Sequence, residues 1–591
     1  MRSTSHFLPI VRTGVGRPTL LVRVLLFAAL LASAAGADTY VVGVGTGCTH
    51  ATLDSAFAAV VSNAATSDTI RIAVPSAVLA SAIEIDSDYV DVFGGFSSCT
   101  ASAATGTTDL HYTGPGPDAF WVHGAFNARI HFFDINVQIE SPARLVRIEE
   151  NGKVALLHST VVGGVAPEGG NIWMKGASAH LLLGDDSQIN LGVATAGNGG
   201  GIYCEAGGRI SFEDRGYISA NTASGSGGGV YLDNCEFHVW SDLGGSPGGD
   251  FATIEGNEAT TGNGGGIAAV NGSEVMLGGT EIGVELFLRN NEAADGDGGG
   301  MWLSGTGTSA QLWNTLVLDN IAHGSGGGIL VASGASLEMD TATEGCGDGR
   351  GCSVVGSNQV LTSGGGGIAV LGGGSATVKR TVIRDNYSPL SAAAVGVTGA
   401  GSLVLLEGCE IYGNDLLDSA LPDVSRLFAG DSAAMTVAFS TMVENVVAPG
   451  VGAIEVFNAS SMRLLSSIVQ ATRTFELPPP PATQVDCTIV QETASVPGTA
   501  TFVTLVASPA ELFELATPTD FRILNPSAAV DYCDTFLYIP TTTDIEGFDR
   551  GVEEPAIPDF LGPFDLGADE WQAGLFLDGF ETGDMSRWHR P

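Results

Sequence analysis

Lysine is nearly missing from this chain. There are three, Lys153, Lys175 and Lys379, and Lys plus Arg total 24 against 65 Asp plus Glu, a formal charge of −41. Residues 1–37 hold Arg2, Arg12, Arg17 and Arg23 and no acid, so without those four arginines −41 becomes −45. Such a balance excludes nucleic acid and anionic lipid as partners, and it repels acidic polysaccharide unless a metal bridges the two. Acidity of this kind keeps a long β-rich protein soluble; weak surface calcium binding is its alternative use, and no other cofactor is implied. The catalytic phrases GxxxxGK[ST] and HExxH are absent, as is CxxC with histidine at ligand spacing. The one GxSxG match, Gly244–Gly248, lacks a following helix, and Asp295–Gly298 is a single calcium-like turn without its repeat. Beyond Val22–Leu31 no long apolar run appears, which predicts a mature chain with no transmembrane helix.

Glycine, in contrast, is abundant: 83 residues, about twice the usual share of roughly 7%. It follows no collagen-like order and instead falls in blocks. Between residues 197 and 390 one phrase recurs: an apolar residue, two more positions, Asn, a short gap, Gly-Gly-Gly, then Ile, Val or Met. The asparagines are Asn221, Asn257, Asn291, Asn320 and Asn358, with Asn386 and then Asn414 and Asn445 as weaker copies. The glycine blocks begin at Gly199, Gly227, Gly264, Gly298, Gly326 and Gly364, at intervals of 28, 37, 34, 28 and 38. A period of this size marks a solenoid. The segments between are short and rich in Val, Ile, Leu and Phe, such as Leu312–Leu318, Ile329–Val331 and Leu403–Leu406, which favours strands. Glycine triplets suit corners with positive φ or close coil approach, and Asn at equivalent corners forms a ladder of stacked amides. The predicted fold is all-β, a right-handed parallel β-helix. At about 28 residues per coil, residues 110–475 give about 13 coils and a rod of roughly 60 Å.

These phrases resemble the repeats of polymorphic outer membrane proteins and related bacterial right-handed β-helix proteins, over roughly residues 110–450. The resemblance speaks for the fold; it does not fix an activity.

Taken in order, residues 1–37 read as a secretory signal: arginines, an apolar run, then Ala35-Gly36-Ala37. Residues 38–110 form an N-terminal cap and first coils, with strands expected at Tyr40–Val44, Thr69–Val74 and Tyr89–Phe93. Apolar residues at helical spacing in 51–64 predict a short amphipathic helix that covers the open end. Residues 111–475 carry the repeats, 476–571 the final coils and a C-terminal cap, and 572–591 a tail with the look of a sorting signal. Nine cysteines in an exported chain imply disulfides and one left over. The expected pairs are Cys48–Cys99, Cys204–Cys235, Cys346–Cys352 and Cys487–Cys533, with Cys409 free and buried; metal ligation is the competing use. Residues 520–571, with Asp544, Arg550, Asp565 and Glu570, resemble the closing segment of choice-of-anchor Q proteins, and the resemblance implies cap ion pairs.

Enzymes built on a β-helix place carboxylates or a base on one outer face. The best cluster here is Lys379, Arg380, Arg384 and Asp385, with Arg289 and Asp319 at comparable repeat positions. The GHG and RIK phrases of polygalacturonases and the motifs of pectate lyases are missing, and surface aromatics look few. The sequence therefore leads to an exported, non-enzymatic, cell-surface or extracellular bacterial β-helix protein. It presents loops such as 240–256 and 340–356 for adhesion or for glycan or protein binding. A polysaccharide lyase or glycoside hydrolase on the same scaffold is the alternative.

Overall fold

The computed structural model describes residues 38–569 apart from 63–66, 125–127, 185, 214, 241–251, 279–285, 342–352, 415–425, 444–451, 472, 476–481, 492–493, 498–499, 507, 514–520, 522, 525–526, 531, 534–542, 546–548 and 551–563. Residues 1–37, Cys346, Cys352, Asn445, Glu570, the tail and most of both long loops thus lie outside it. The chain is a parallel β-helix. Among the described residues its strands make a wide 31-stranded sheet, a narrow 13-stranded sheet and a 7-stranded sheet of two-residue strands.

One coil shows how the sequence dictates this. Ser309–Trp313 and Thr315–Leu318 both belong to the wide sheet, split by Asn314 at φ 48. The single strand expected over Leu312–Leu318 is therefore two strands, because one left-handed residue turns the chain through a corner. Asp319 at φ 55 makes the next corner, and Asn320 follows it. Ile321–Ala322 pairs in the short-strand sheet, and Ile329–Ala332 in the narrow sheet. Alternation points Leu312, Val317, Ile329 and Val331 into the core, where none exposes any surface. The coil above repeats the arrangement in register, with Ser309 beside Ser336 and Ile329 beside Ile368.

The glycine blocks divide their labour. The first glycine supplies positive φ: Gly227 (68), Gly264 (70), Gly298 (66) and Gly326 (68). The second and third permit contact between coils. A Cβ on Gly299 would stand 2.4 Å from the Ile321 carbonyl oxygen and 2.5 Å from that of Gly327.

The asparagines are buried in one column. The Nδ2 of Asn221 donates to Oδ1 of Asn257 at 2.9 Å, and the pattern continues through Asn291, Asn320, Asn358, Asn386 and Asn414 at 2.9–3.0 Å. Each Oδ1 also accepts the backbone N–H of the asparagine below, as Asn320 does from Asn291 at 3.0 Å. The second Nδ2 hydrogen goes to a carbonyl of the coil below, as from Asn320 to Leu288 at 2.8 Å. Below Asn221 the ladder position is Gly192. Asn171, which stands where later coils carry their third glycine, reaches across to Asn221 Oδ1 at 3.3 Å.

The ends are closed differently. The helix Leu53–Ser62 is capped by Thr52, whose Oγ1 accepts the Ser55 N–H at 3.2 Å. It buries Leu53, Ala56, Phe57 and Val60, and Phe57 meets Phe120 edge-on at 5.4 Å. Disulfides join Cys48 to Cys99, Cys204 to Cys235 and Cys487 to Cys533, and Cys409 is a buried free thiol. The C-terminal segment runs back along the side of the rod, beyond the last coil alone. It follows the corner column Arg380, Gly408, Phe439, Ser466 and Cys487, every member at positive φ. Thr543 accepts from Arg380 at 2.7 Å, Arg550 lies over the Phe439 ring at 5.1 Å, and Gly567 donates to the Ser466 carbonyl. Asp544 and Asp565 are buried there, and Arg550 is nearly so.

Candidate functional site

Arg289 and Arg384, at comparable repeat positions, stand in one column of the wide sheet but too far apart to form a cluster. Register places Arg289 beside Leu318 and Arg384 beside Gly356, three coils apart. Arg289 pairs with Glu255 at 2.7 Å and Arg384 with its neighbour Asp385 at 2.6 Å. Lys379 faces Glu407 at 4.0 Å, and Arg380 pairs with Asp340 at 2.8 Å beneath the C-terminal segment. These are local neutralisations, each between adjacent coils or adjacent residues.

Chemistry collects instead on the narrow sheet of the first coils. There the core residues Phe120, Val146, Ile172, Ile202 and Val230 point inward, so the residue after each points out. Parallel register stacks those outward residues: Glu84, Trp121, Arg147, Trp173, Tyr203 and Tyr231. A second column beside it holds Glu149, Lys175, Glu205 and Asp233. The Arg147 guanidinium sits between two indoles, 5.3 Å from Trp121 and 5.2 Å from Trp173. Glu149 fixes it: one oxygen accepts from Arg147 at 2.7 Å and the other from Trp121 Nε1 at 2.8 Å. Trp173 and Tyr203 stack at 6.2 Å, and Tyr203 and Tyr231 at 5.3 Å, with planes within 5° and 11° of parallel. Much of each ring face is therefore turned to its neighbour, Tyr203 is buried between Trp173 and Tyr231, and a partner meets the half-buried edges of Trp121, Trp173 and Tyr231 and the carboxylates beside them.

The ionisable groups are tuned by burial. Desolvation raises Asp118, while its partner Arg144 at 2.7 Å opposes that rise. Arg144 is lowered by the same burial and lies 6.0 Å from the Trp173 ring. Burial, then Glu168 and Glu205, push the Tyr203 phenol up; burial, then Asp233, do so for Tyr231. Both phenols stay protonated at neutral pH, and Tyr203 donates to Glu205 at 3.2 Å. Lys175 meets the same carboxylate at 2.7 Å. At the lower end His123 stacks on Trp121 at 3.9 Å and bonds Glu84 at 2.8 Å.

The expectation of few surface aromatics is thus mistaken for this face. The signal lies in the residue after an inward apolar one of each narrow strand: Phe120-Trp121, Ile172-Trp173, Ile202-Tyr203, Val230-Tyr231. Read without a register, an aromatic beside a β-branched residue looks like core. Among the described residues no cluster of three His, Cys, Asp or Glu is disposed to hold a metal ion, and no helix is long and apolar enough to cross a membrane. The chain matches no known family model and no curated protein sequence.

Proposed function

We propose that this is an exported, non-enzymatic β-helix protein that holds a glycan or a surface protein against one outer face of its first coils. The observation that carries the reading is the run of Trp121, Arg147, Trp173, Tyr203 and Tyr231 on five consecutive coils, flanked by carboxylates. Aromatic edges with phenolic donors and fixed acceptors suit polyhydroxylated or peptide ligands. The scaffold keeps them one coil apart and pre-ordered, which lowers the entropic cost of binding. Export rests on the leader-like residues 1–37 and on three disulfides, which persist in oxidising compartments. The repeats resemble those of polymorphic outer membrane proteins and the closing segment that of choice-of-anchor Q proteins, which agrees with work at a bacterial surface.

A polysaccharide-cleaving enzyme on this rod is the second reading, favoured by Asp118, a buried carboxyl raised in pKa within electrostatic reach of Glu149. One experiment separates the two. Purified protein is incubated with a polysaccharide panel, with and without calcium, and assayed for co-sedimentation and for products. Retention without new reducing ends or unsaturated sugars, weakened by Trp173→Ala and Tyr203→Ala, is the expected result. Product formation that Asp118→Asn abolishes would replace binding by catalysis.

A further inference from the structure

From Asn198 to Asp297, the residue before each corner's first glycine fastens the coil above. Asn198 Oδ1 accepts the Ser226 N–H at 2.7 Å, and Ser226 Oγ accepts that of Asn263 at 3.0 Å. Asn263 Oδ1 accepts the Asp297 N–H at 2.8 Å, and Asp297 Oδ1 that of Ser325 at 2.6 Å. Glu168 stands at the foot of this turn column, since Gly169 donates to the Asn198 carbonyl just as Gly199 does to that of Ser226. Its side chain does not join the ladder. Among the described residues Glu168 makes no hydrogen bond and no ion pair.

The Glu168 carboxylate lies instead within electrostatic reach of the stacked tyrosines. Burial and then Glu168 raise the Tyr203 phenol; burial, then Asp233 and Glu168, raise that of Tyr231. The cations of this face are already held. Arg144, which feels the Glu168 charge, bonds Asp118 at 2.7 Å, Arg147 bonds Glu149 at 2.7 Å and Lys175 bonds Glu205 at 2.7 Å. Asp233 accepts an amide hydrogen of Asn271 at 2.9 Å and has no cation of its own among the described residues. Glu168 and Asp233 are both partly exposed. The lower half of the aromatic face thus carries its own counter-charges, and the upper half, around Tyr231, does not.

We propose that the ligand of the aromatic face is an amino-sugar glycan, whose ammonium groups neutralise Glu168 and Asp233 beside Tyr231. The proposal deepens the glycan-binding reading and rests on it. A neutral glycan laid over these residues would desolvate two carboxylates without a counter-charge, and an acidic one would be repelled. Calcium takes about six to eight oxygen ligands, and among the described residues no three acids are disposed to hold a metal ion. A sugar amine is fixed to its ring, whereas a lysine ammonium rides on a flexible stem that loses rotamer freedom on binding. The hydroxyls beside each amine can use the lone pairs that Glu149 and Glu205 keep free, since a carboxylate accepts more than one hydrogen bond per oxygen. Glu168 is then a specificity-determining residue, available for the ligand because it stays out of the turn ladder.

The test is calorimetry with the glucosamine tetramer of chitosan, its fully N-acetylated form, cellotetraose and tetralysine, at low and raised salt. The three sugars share linkage and length and differ only in the group beside the linkage. The amine tetramer should bind about tenfold more tightly than the other two sugars, and raised salt should shrink that advantage. Glu168→Gln should remove most of the advantage and leave cellotetraose binding unchanged, while Glu338→Gln, on the wide sheet, behaves as the parent does. Unchanged thermal unfolding certifies the fold; if Glu168→Gln does not fold, Asp233→Asn reads the same loss. An undiminished preference for the amine in both variants, or tighter binding of tetralysine than of the amine tetramer, overturns the proposal. Equal binding of the three sugars by the parent overturns it and leaves the glycan-binding reading standing; failure of every sugar overturns both.

Discussion

The coils below residue 190 and those between 221 and 414 stack in the same parallel register, yet different side chains fasten them. In the upper coils the fastening is internal. Seven buried asparagines, from Asn221 to Asn414, tie each corner to the next, and the outward column of the narrow sheet there is Ala268, Trp302, Leu330, Ala369 and Gly396. In the lower coils glycine stands at the ladder position, and the ties are external: Arg147 between two indoles, Asp118 with Arg144, Glu84 with His123. Tyr203 and Tyr231 belong to the coils where the two systems overlap. Internal fastening leaves the outward column of the narrow sheet apolar there. External fastening gives the lower exterior the polar and aromatic groups that a ligand can use, so binding is expected where the ladder is missing.

The largest test strikes the ladder. Asn320→Leu removes two donors and an acceptor from a buried column and strands both donors of Asn291. Unsatisfied buried amides in a connected network should cost about 4 kcal/mol. The loss would appear as a lower denaturant midpoint and as new proteolysis in coils 291–358. A loss below about 1 kcal/mol would mean that the ladder is not what holds these coils. Gly299→Ala comes next. Its methyl meets two backbone oxygens that cannot move away, so about 3 kcal/mol is expected from overpacking, with the damage confined to the same coils. Arg147→Ala probes the external system. It ends two cation–π contacts and an ion pair with Glu149, but the arginine side chain is 39% exposed, so water replaces much of what is lost. About 1 kcal/mol is expected, together with weaker glycan retention. An effect as large as that of Asn320→Leu would erase the distinction between the two regions.

Much of the fold is legible in the residues alone. The Asn-to-Gly spacing announces a solenoid because a corner admits few residue types, and Leu53, Phe57 and Val60 sit at helical spacing. The expected strand at Tyr89–Phe93 has those same bounds. What the sequence hides is whatever depends on which coil lies over which. Asn171 joins the ladder from the position of a missing glycine, a substitution that only register exposes. The aromatic column is assembled from residues 26 to 30 positions apart, with unequal loops between them. Asn314 and Arg380 bend strands that look continuous because any residue type can take the left-handed corner once its neighbours fix it.

The smallest effect is expected at Cys409, which tests whether the upper coils tolerate exchange at an internal position that is not the ladder. Register sets it between Thr381 and Ser440, and Ser467 follows. Those hydroxyls donate to the carbonyl two residues earlier, Thr381 to Lys379 at 2.7 Å and Ser440 to Ala438 at 2.9 Å; the Cys409 thiol repeats this with Glu407 at 3.6 Å. Cys409→Ser should therefore change stability by less than about 1 kcal/mol, a better hydrogen bond offsetting poorer burial. Burial pushes the thiol up to about 12, so thiolate is scarce through neutral and mildly alkaline pH. Alkylating reagents should then label the parent only as fast as its coil opens. Asn386→Leu, one coil below, should speed that labelling far more than Arg147→Ala does, because a solenoid passes disturbance chiefly to its nearest neighbours. Equal acceleration by both would show that internal and external fastenings act on one cooperative unit.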